Sequence, residues 1–566
     1  MSLVRNAGCA ILLVACGTDI LFGQQDIKET PTINIRMKKD SLETVRRDSQ
    51  AVAQVPLPEF DIPEYVITGT ATIDLPPAER AATDAVTTPF PPVLRAMRST
   101  LRDRSIEGPN ERNATYGFQS VYGWNGRAFA SIGTFFTPRL EAWVGRSDER
   151  YRVDVDAGYG RTKGWVRSSD RTEANGSVAG TYVLSGDSPL IQDAQVDARA
   201  GFQSAAYRFF GSMVPDLRRE VSRTDVTVGA QSLSNGELPY ALRLSINSMK
   251  ASDSARAVNE GGIRFGVRTL FEALALPWEL SFRIDNGNLS GFRRGSQSYF
   301  HLEAGTLTDI GPVSLTIAAR IMSARSAGSS QLLRFYPHVT ASTALDGIHA
   351  LQLAFAPTLE HRTLAMAVSE NPYVSTQTTL RPTDVRQMWS LSLSSNWNSR
   401  IQTVGSVEYR HAADAPYSLD TSSLGIWSLA YAPSASIFAL NVGAVATLSP
   451  NDYFASKFAI RSVRFDQIDS HVPYVPKAEL ELAYTRSIGS ALSIVPRIFG
   501  AFSRVADPTG AALPTLWQLD VRAEYRLLPN AVVLLDLSNL LNRSNETWRG
   551  YRDRPFSITL GIDVRW

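Results

Sequence analysis

The last eleven residues, Phe556 to Trp566, restrict the fold more than any other stretch of the chain. Phe556, Ile558, Leu560, Ile562, Val564 and Trp566 are apolar, whereas Ser557, Thr559, Gly561, Asp563 and Arg565 between them are not. A period of two is a strand period; on a helix these apolar side chains would be scattered around the circumference. At about 3.3 Å per residue and a tilt near 40°, such a strand rises roughly 25 Å, the height of the apolar band on a membrane barrel. The segment reads as the closing strand of an outer-membrane β-barrel, one face in lipid and one in the lumen. Its six apolar residues, ending on an aromatic, are also the candidate signal for the barrel assembly machinery.

The same texture fills the chain from about Asn113 onward. Tyr151, Val153, Val155, Ala157 and Tyr159 alternate with Arg152, Asp154, Asp156, Gly158 and Gly160, and Ala194 to Gln203 and Trp278 to Asp285 repeat the pattern. An arginine facing lipid at mid-depth costs about 2–4 kcal/mol, so Arg152, Asp154 and Asp156 must look into a wet lumen. Tyr151, Tyr159, Trp278 and Trp566 at strand ends suit interfacial girdles. Ser185-Gly186-Asp187, Ser234-Asn235-Gly236, Asp285-Asn286-Gly287 and Asp346-Gly347 read as turns between strands. The fold expected is all-β, an antiparallel transmembrane barrel of about 22 strands (range about 18–26), with an even number favoured by closure.

Composition agrees. The hydrophobic fraction is 44% and the mean hydropathy −0.12, yet beyond the N-terminus no apolar run approaches the roughly 18 residues of a membrane helix. A chain enters a bilayer without such a run only as a closed barrel. The net charge of +2 in 566 residues gives no footprint for nucleic acid. Lysine is confined to Lys28, Lys38, Lys39, Lys163, Lys250, Lys457 and Lys477, so arginine carries nearly all the positive charge. An anion-selecting lumen is one reading of this; genome composition and interfacial snorkelling are the simpler and favoured one.

The N-terminal segment has a different character. Arg5 followed by the apolar run Ala7 to Ala15 reads as an export signal. Processing has two readings: cleavage after Gly23, giving a signal peptide over 1–23, or a lipobox in Leu13-Val14-Ala15-Cys16 with a lipid on Cys16. Cys9 and Cys16 are the only cysteines, so the exported chain holds no disulfide. Residues 24–112 are polar and proline-punctuated, which favours extended chain in the periplasm. One short helix is expected there over 93–104, where Val93, Leu94, Met97 and Leu101 share one face. The barrel is expected over 113–566.

Several C-terminal segments together resemble the end of a TonB-dependent receptor barrel: Val472-Pro473-Tyr474-Val475-Pro476 with Leu480 to Tyr484, Trp517 to Val521, Asp536-Leu537-Ser538-Asn539-Leu540-Leu541-Asn542, and Trp548-Arg549-Gly550-Tyr551. Upstream, Glu370-Asn371-Pro372-Tyr373 with Leu380-Arg381-Pro382-Thr383 resembles the loop that family members place before a mid-barrel strand. The resemblance implies an outer-membrane transporter with a TonB-like periplasmic partner. Glu64, Tyr65, Val66, Ile67 and Thr68, continuing to Gly69 and Thr70, look like a TonB box; such an extended segment can add a strand to a partner's sheet edge. The bland alternative is a tether rich in β-branched residues. The family's plug is not evident in the forty or so residues between Thr70 and Asn113, fewer than the roughly 50 of a small domain.

Nothing in the sequence assembles into an enzyme. The histidines 301, 338, 349, 361, 411 and 471 lack metal-site spacing, and Glu360-His361-Arg362 reads first as a solvated strand end. Gly158 to Gly164 lacks the ending of a phosphate loop and reads as a turn. No catalytic, cofactor or metal residues are assigned. Transport of a solute through the lumen is the function expected, with helix 93–104 as a candidate stopper. The alternative is a plugless structural or anchoring subunit whose pore is occluded by partner subunits.

Overall fold

The computed structural model describes residues 123–184, 194–232, 239–254, 256–274, 276–398, 400–420, 423–466 and 472–566. Cys16, the Glu64–Thr68 segment, the 93–104 helix, the plug region and His471 lie outside them, as do the Ser185–Asp187 and Ser234–Gly236 turns.

The described chain is an antiparallel barrel of 22 wall strands, closed where the first strand, Gly123–Gly133, pairs with the last, Ser557–Arg565. The alternation at the C-terminus does what its period requires. Phe556, Ile558, Leu560, Ile562 and Trp566 are exposed on the outer face, while Ser557, Gly561 and Asp563 are buried on the inner one. Asp563 accepts from Arg127 across the seam at 2.9 Å. At the same seam a Cβ on Gly126 would come within 2.2 Å of the Trp566 ring, so only glycine lets the terminal aromatic lie across the first strand.

Val153, Val155, Tyr159, Phe202, Val226, Val228, Leu242, Leu244 and Ile246 are likewise exposed on the outer surface. Such a continuous apolar belt around a closed wall is stable only in lipid. Short turns join strands at one end, whereas connections over 361–382, 414–434, 503–515 and 539–556 lie at the other. Membrane barrels carry short periplasmic turns and long outer loops, which sets the orientation.

Two sequence expectations change. Asp285-Asn286-Gly287 is no turn: it lies inside the strand Leu276–Gly291. Its glycine sits opposite Gly262, and a Cβ there would meet the Gly261 carbonyl oxygen at 2.7 Å, so close backbone approach explains the residue. Of Gly158 to Gly164, the part up to Thr162 is strand and only Lys163 and Gly164 enter a loop. Asp346-Gly347 does turn the chain, with Asp346 accepting from the Ile348 and His349 N–H groups.

The Asp536–Asn542 motif gains a physical reason. After the strand Ala531–Ser538, Asn539 and Asn542 both adopt left-handed backbone (φ 52° and 47°), which asparagine tolerates better than most residues. The Asn539 side-chain amide donates to the Arg543 and Arg554 carbonyls, which ties both ends of the last outer loop together.

Candidate functional site: a loop folded into the barrel mouth

The loop 361–382, which precedes the strand Thr383–Asn398 as the family resemblance implied, folds against the inner wall instead of standing out into solvent. It carries the one helix among the described residues, Leu364–Glu370. Thr363 caps it by accepting from the Met366 N–H, and Pro372 follows its end. Leu364, Ala367 and Val368 lie on one face and pack on Tyr207, Val221, Met249, Ala251, Val258 and Leu289, which project inward from the wall.

Polar contacts from the wall fix the loop in place. The Glu260 carboxylate accepts from the backbone N–H groups of Leu364 (2.9 Å) and Ala365 (2.6 Å), and from Gln297 (2.5 Å). Arg219, whose side chain is fully buried, holds both Asp253 oxygens (2.5 and 2.6 Å) and donates to the Pro372 and Val374 carbonyls. Tyr207 also donates to the Pro372 carbonyl, and Arg223 donates to Ser369 and the Ala365 carbonyl. A buried ion pair gains little over apolar packing, but losing one partner costs about 3–5 kcal/mol, so such contacts define one position of the loop.

Glu360, His361 and Arg362 are therefore not a solvated strand end. Glu360 pairs with the buried Arg410, and Arg362 with Glu370 at 2.5 Å. The His361 ring stacks on Tyr299, and burial pushes its imidazole down to about 4, so it is neutral at physiological pH. Below the loop lies a lumenal cavity of about 460 Å³, bordered by Arg264, Asp285, Asn286, Gln297, Tyr299 and His361 among others. Deeper in the lumen, Glu303 meets Arg320 (2.9 Å), His338 (2.8 Å) and His301 (3.3 Å). Among the described residues no group of side chains has the arrangement of a metal site.

At the same end of the barrel, aromatic side chains from five loops pack together. Phe210, Tyr373, Trp427, Tyr474, Trp548 and Tyr551 form one cluster. Tyr373 and Tyr551 have ring centroids 3.7 Å apart, Tyr474 and Trp548 4.5 Å, and Trp427 and Trp548 5.1 Å. Tyr551 donates to the Gly425 carbonyl, and burial pushes the Tyr474 phenol up to about 12. The sequence motifs around Tyr373, Tyr474 and Trp548 to Tyr551 thus meet at one place, although they lie far apart along the chain.

No family model and no curated protein sequence matches this chain. Solved structures do. The FrpB iron transporter from Neisseria meningitidis (F3-3 variant) superposes with a TM-score of 0.61 at 10% identity, over 79% of this chain and 82% of that one. The copper transporter OprC gives 0.60 at 11% identity over 79% and 81%. The siderophore receptor PiuA from Acinetobacter baumannii gives 0.59 at 8% identity over 79% and 82%. The fold is that of the TonB-dependent receptor barrel. Identities this low carry the architecture alone, and the loop and lumen chemistry described above is this chain's own.

Proposed function

We propose that this chain is an outer-membrane transporter that moves a solute through its lumen, with the loop 361–382 and the aromatic cluster above it as the barrier at the outer mouth. The observation that carries the reading is the joint one of a closed 22-strand wall and a loop pinned to its inner face. A porin of 16–18 strands already conducts, so a wall of this size needs a barrier. The nearby folds belong to iron, copper and siderophore transporters and receptors, which favours small chelates and metal complexes as first substrates to try.

In this reading Glu64 to Thr68 recruit a TonB-like periplasmic protein, residues 24–112 are periplasmic, and Phe556 to Trp566 direct insertion by the barrel assembly machinery. Cells with and without the chain would be compared for uptake of labelled iron and copper chelates, alongside a variant lacking Glu64–Thr70. Uptake that needs the chain and falls with the deletion supports the proposal. A second reading, a structural or anchoring subunit, is favoured by how closely the aromatic side chains of the outer loops pack on one another. Unchanged uptake together with loss of a co-purifying complex would decide for it.

A further inference from the structure

One row of the wall ladder carries polar groups at its ends and glycine between them. Asp225, Asn247, Gly262, Gly287 and Gln297 stand directly opposite one another in turn, on five successive strands. The row faces the lumen: Gly262 lies between the inward Glu260 and Arg264, while its neighbour Ile263 is exposed on the lipid side. The two glycines leave the inner face bare over two strands. Asn247 and Gln297, on either side, are three strand spacings apart, about 14 Å. The bare strip is a trough in the lumenal cavity, whose border includes all five residues.

The polar groups around the trough are short of partners. Gln297 is 4% exposed, and its amide nitrogen donates to Glu260 at 2.5 Å. That bond fixes which end of the amide faces Glu260, and the oxygen left over is buried without a donor. An orphaned buried acceptor is costly and calls for a ligand or water to complete it. The side chains of Gln203, Asp225 and Asn247 are exposed to the lumen and make no hydrogen bond or ion pair among the described residues. A Cβ on Gly262 would stand 3.3 Å from the Asn247 amide oxygen, so that amide borders the bare strip directly.

We propose that the trough binds an uncharged polyhydroxyl ligand of mono- to disaccharide size. A hydroxyl both donates and accepts, which matches the amides of Gln203 and Asn247, while the Gln297 oxygen and the Asp225 carboxylate take donors. The other bordering carboxylates are met within the protein. Glu260 holds the helix N–H groups, Glu360 holds Arg410, and Asp285 serves Arg264 and Arg283. Asp225 has Arg223 two residues along the same inward face. A charged ligand of either sign would have to displace these arrangements, whereas a neutral one leaves them in place. The cavity's volume of about 460 Å³ suits a small molecule of this kind. The inference rests on the transport reading, and takes its substrate class from the lumen, where the chelates above came from the neighbouring folds.

Equilibrium dialysis of the full chain in detergent against radiolabelled glucose, maltose and sucrose tests the site, with spermidine and citrate as charged competitors. Saturable binding of at least one of the sugars is expected, and neither competitor should displace it at about tenfold excess. Asn247→Leu removes an amide that makes no bond inside the protein, and should weaken sugar binding about tenfold. Gly262→Leu fills the trough and should abolish binding; should it fail to fold, Asn247→Leu carries the test. Absence of saturable binding for all of the sugars, unchanged binding in Asn247→Leu, or displacement by spermidine or citrate overturns the site. Passage of the same sugars is followed in liposomes carrying the barrel with the loop 361–382 trimmed. Sugars that bind the full chain but never cross refute lumenal transport and leave the site standing; sugars that cross without saturable binding refute the site alone.

Discussion

Replacing Arg219 by methionine should free the loop 361–382 from the wall while leaving the barrel intact. The side chain is fully buried, so the substitution strands the Asp253 carboxylate, itself only 16% exposed, and removes one donor from each of the Pro372 and Val374 carbonyls. Breaking a buried pair costs about 3–5 kcal/mol, and the Val374 carbonyl up to about 1–3 kcal/mol more, whereas the Pro372 carbonyl keeps its bond from Tyr207; water returns part of the cost once the loop lifts. A net loss of about 4 kcal/mol raises the opening equilibrium by about three orders of magnitude. Trypsin reads this directly. The loop holds two arginines; Arg381 precedes Pro382 and resists cleavage, and Arg362 is buried against Glu370 in the closed loop. Cleavage after Arg362 should therefore rise steeply in Arg219→Met, while the barrel keeps its heat-resistant mobility on gels. The double variant Arg219→Met, Asp253→Leu removes the stranded charge and should recover much of the resistance. Wild-type cleavage in the single variant, or a double variant worse than the single, would refute the idea that this pair positions the loop.

Other expectations follow the same physics. Glu260→Leu removes the acceptor for two helix N–H groups and Gln297, which should cost about 2–4 kcal/mol of loop stability and expose a cysteine placed at Ala365 to water-soluble maleimide. His361 has a folded value near 4, below the ordinary 6.5, so the opened loop binds the proton more tightly. Loop stability is then complete above about pH 6.5 and falls by about 3 kcal/mol as pH drops toward 4. Tryptic-type cleavage measured with an acid-tolerant protease should rise over that window, and His361→Gln should flatten the profile. Trp427→Ala, at a site 1% exposed, should cost about 3–5 kcal/mol of loop packing, seen as faster hydrogen exchange confined to the outer loops. Leu560→Arg places a charge on the lipid face and should cost about 2–4 kcal/mol, seen as a lower unfolding temperature in detergent.

The wall was legible because a single periodicity decides it. Once Val153 and Leu560 must meet lipid, Arg152 and Asp563 must meet the lumen, and no long-range information is needed. The exceptions arise where local signals carry two meanings. Asp285-Asn286-Gly287 has the composition of a turn, but Gly287 serves a close approach to Gly261 that only the paired strand makes visible. Leu364 to Glu370 is too short for its period to stand out, and its stability comes from Glu260, about a hundred residues earlier in the chain. The row from Asp225 to Gln297 is invisible until the register of the strands between them is known. The candidate site was missed for the same reason: Arg219, Asp253 and Glu260 each look like one more lumenal charge in an alternating strand. The resemblance of Glu370 to Thr383 to a family loop located the loop without revealing that it folds inward.

The central claim is that the loop 361–382 bars an otherwise conducting lumen. Planar-bilayer recording tests it most directly, comparing the full chain with a variant in which residues 364–380 are replaced by a short Gly-Ser turn. The account predicts a quiet full chain and steady ionic currents from the trimmed one, with both keeping the barrel's heat-resistant mobility. Large currents from the full chain, or silence from the trimmed barrel even after residues 24–112 are also removed, would contradict it.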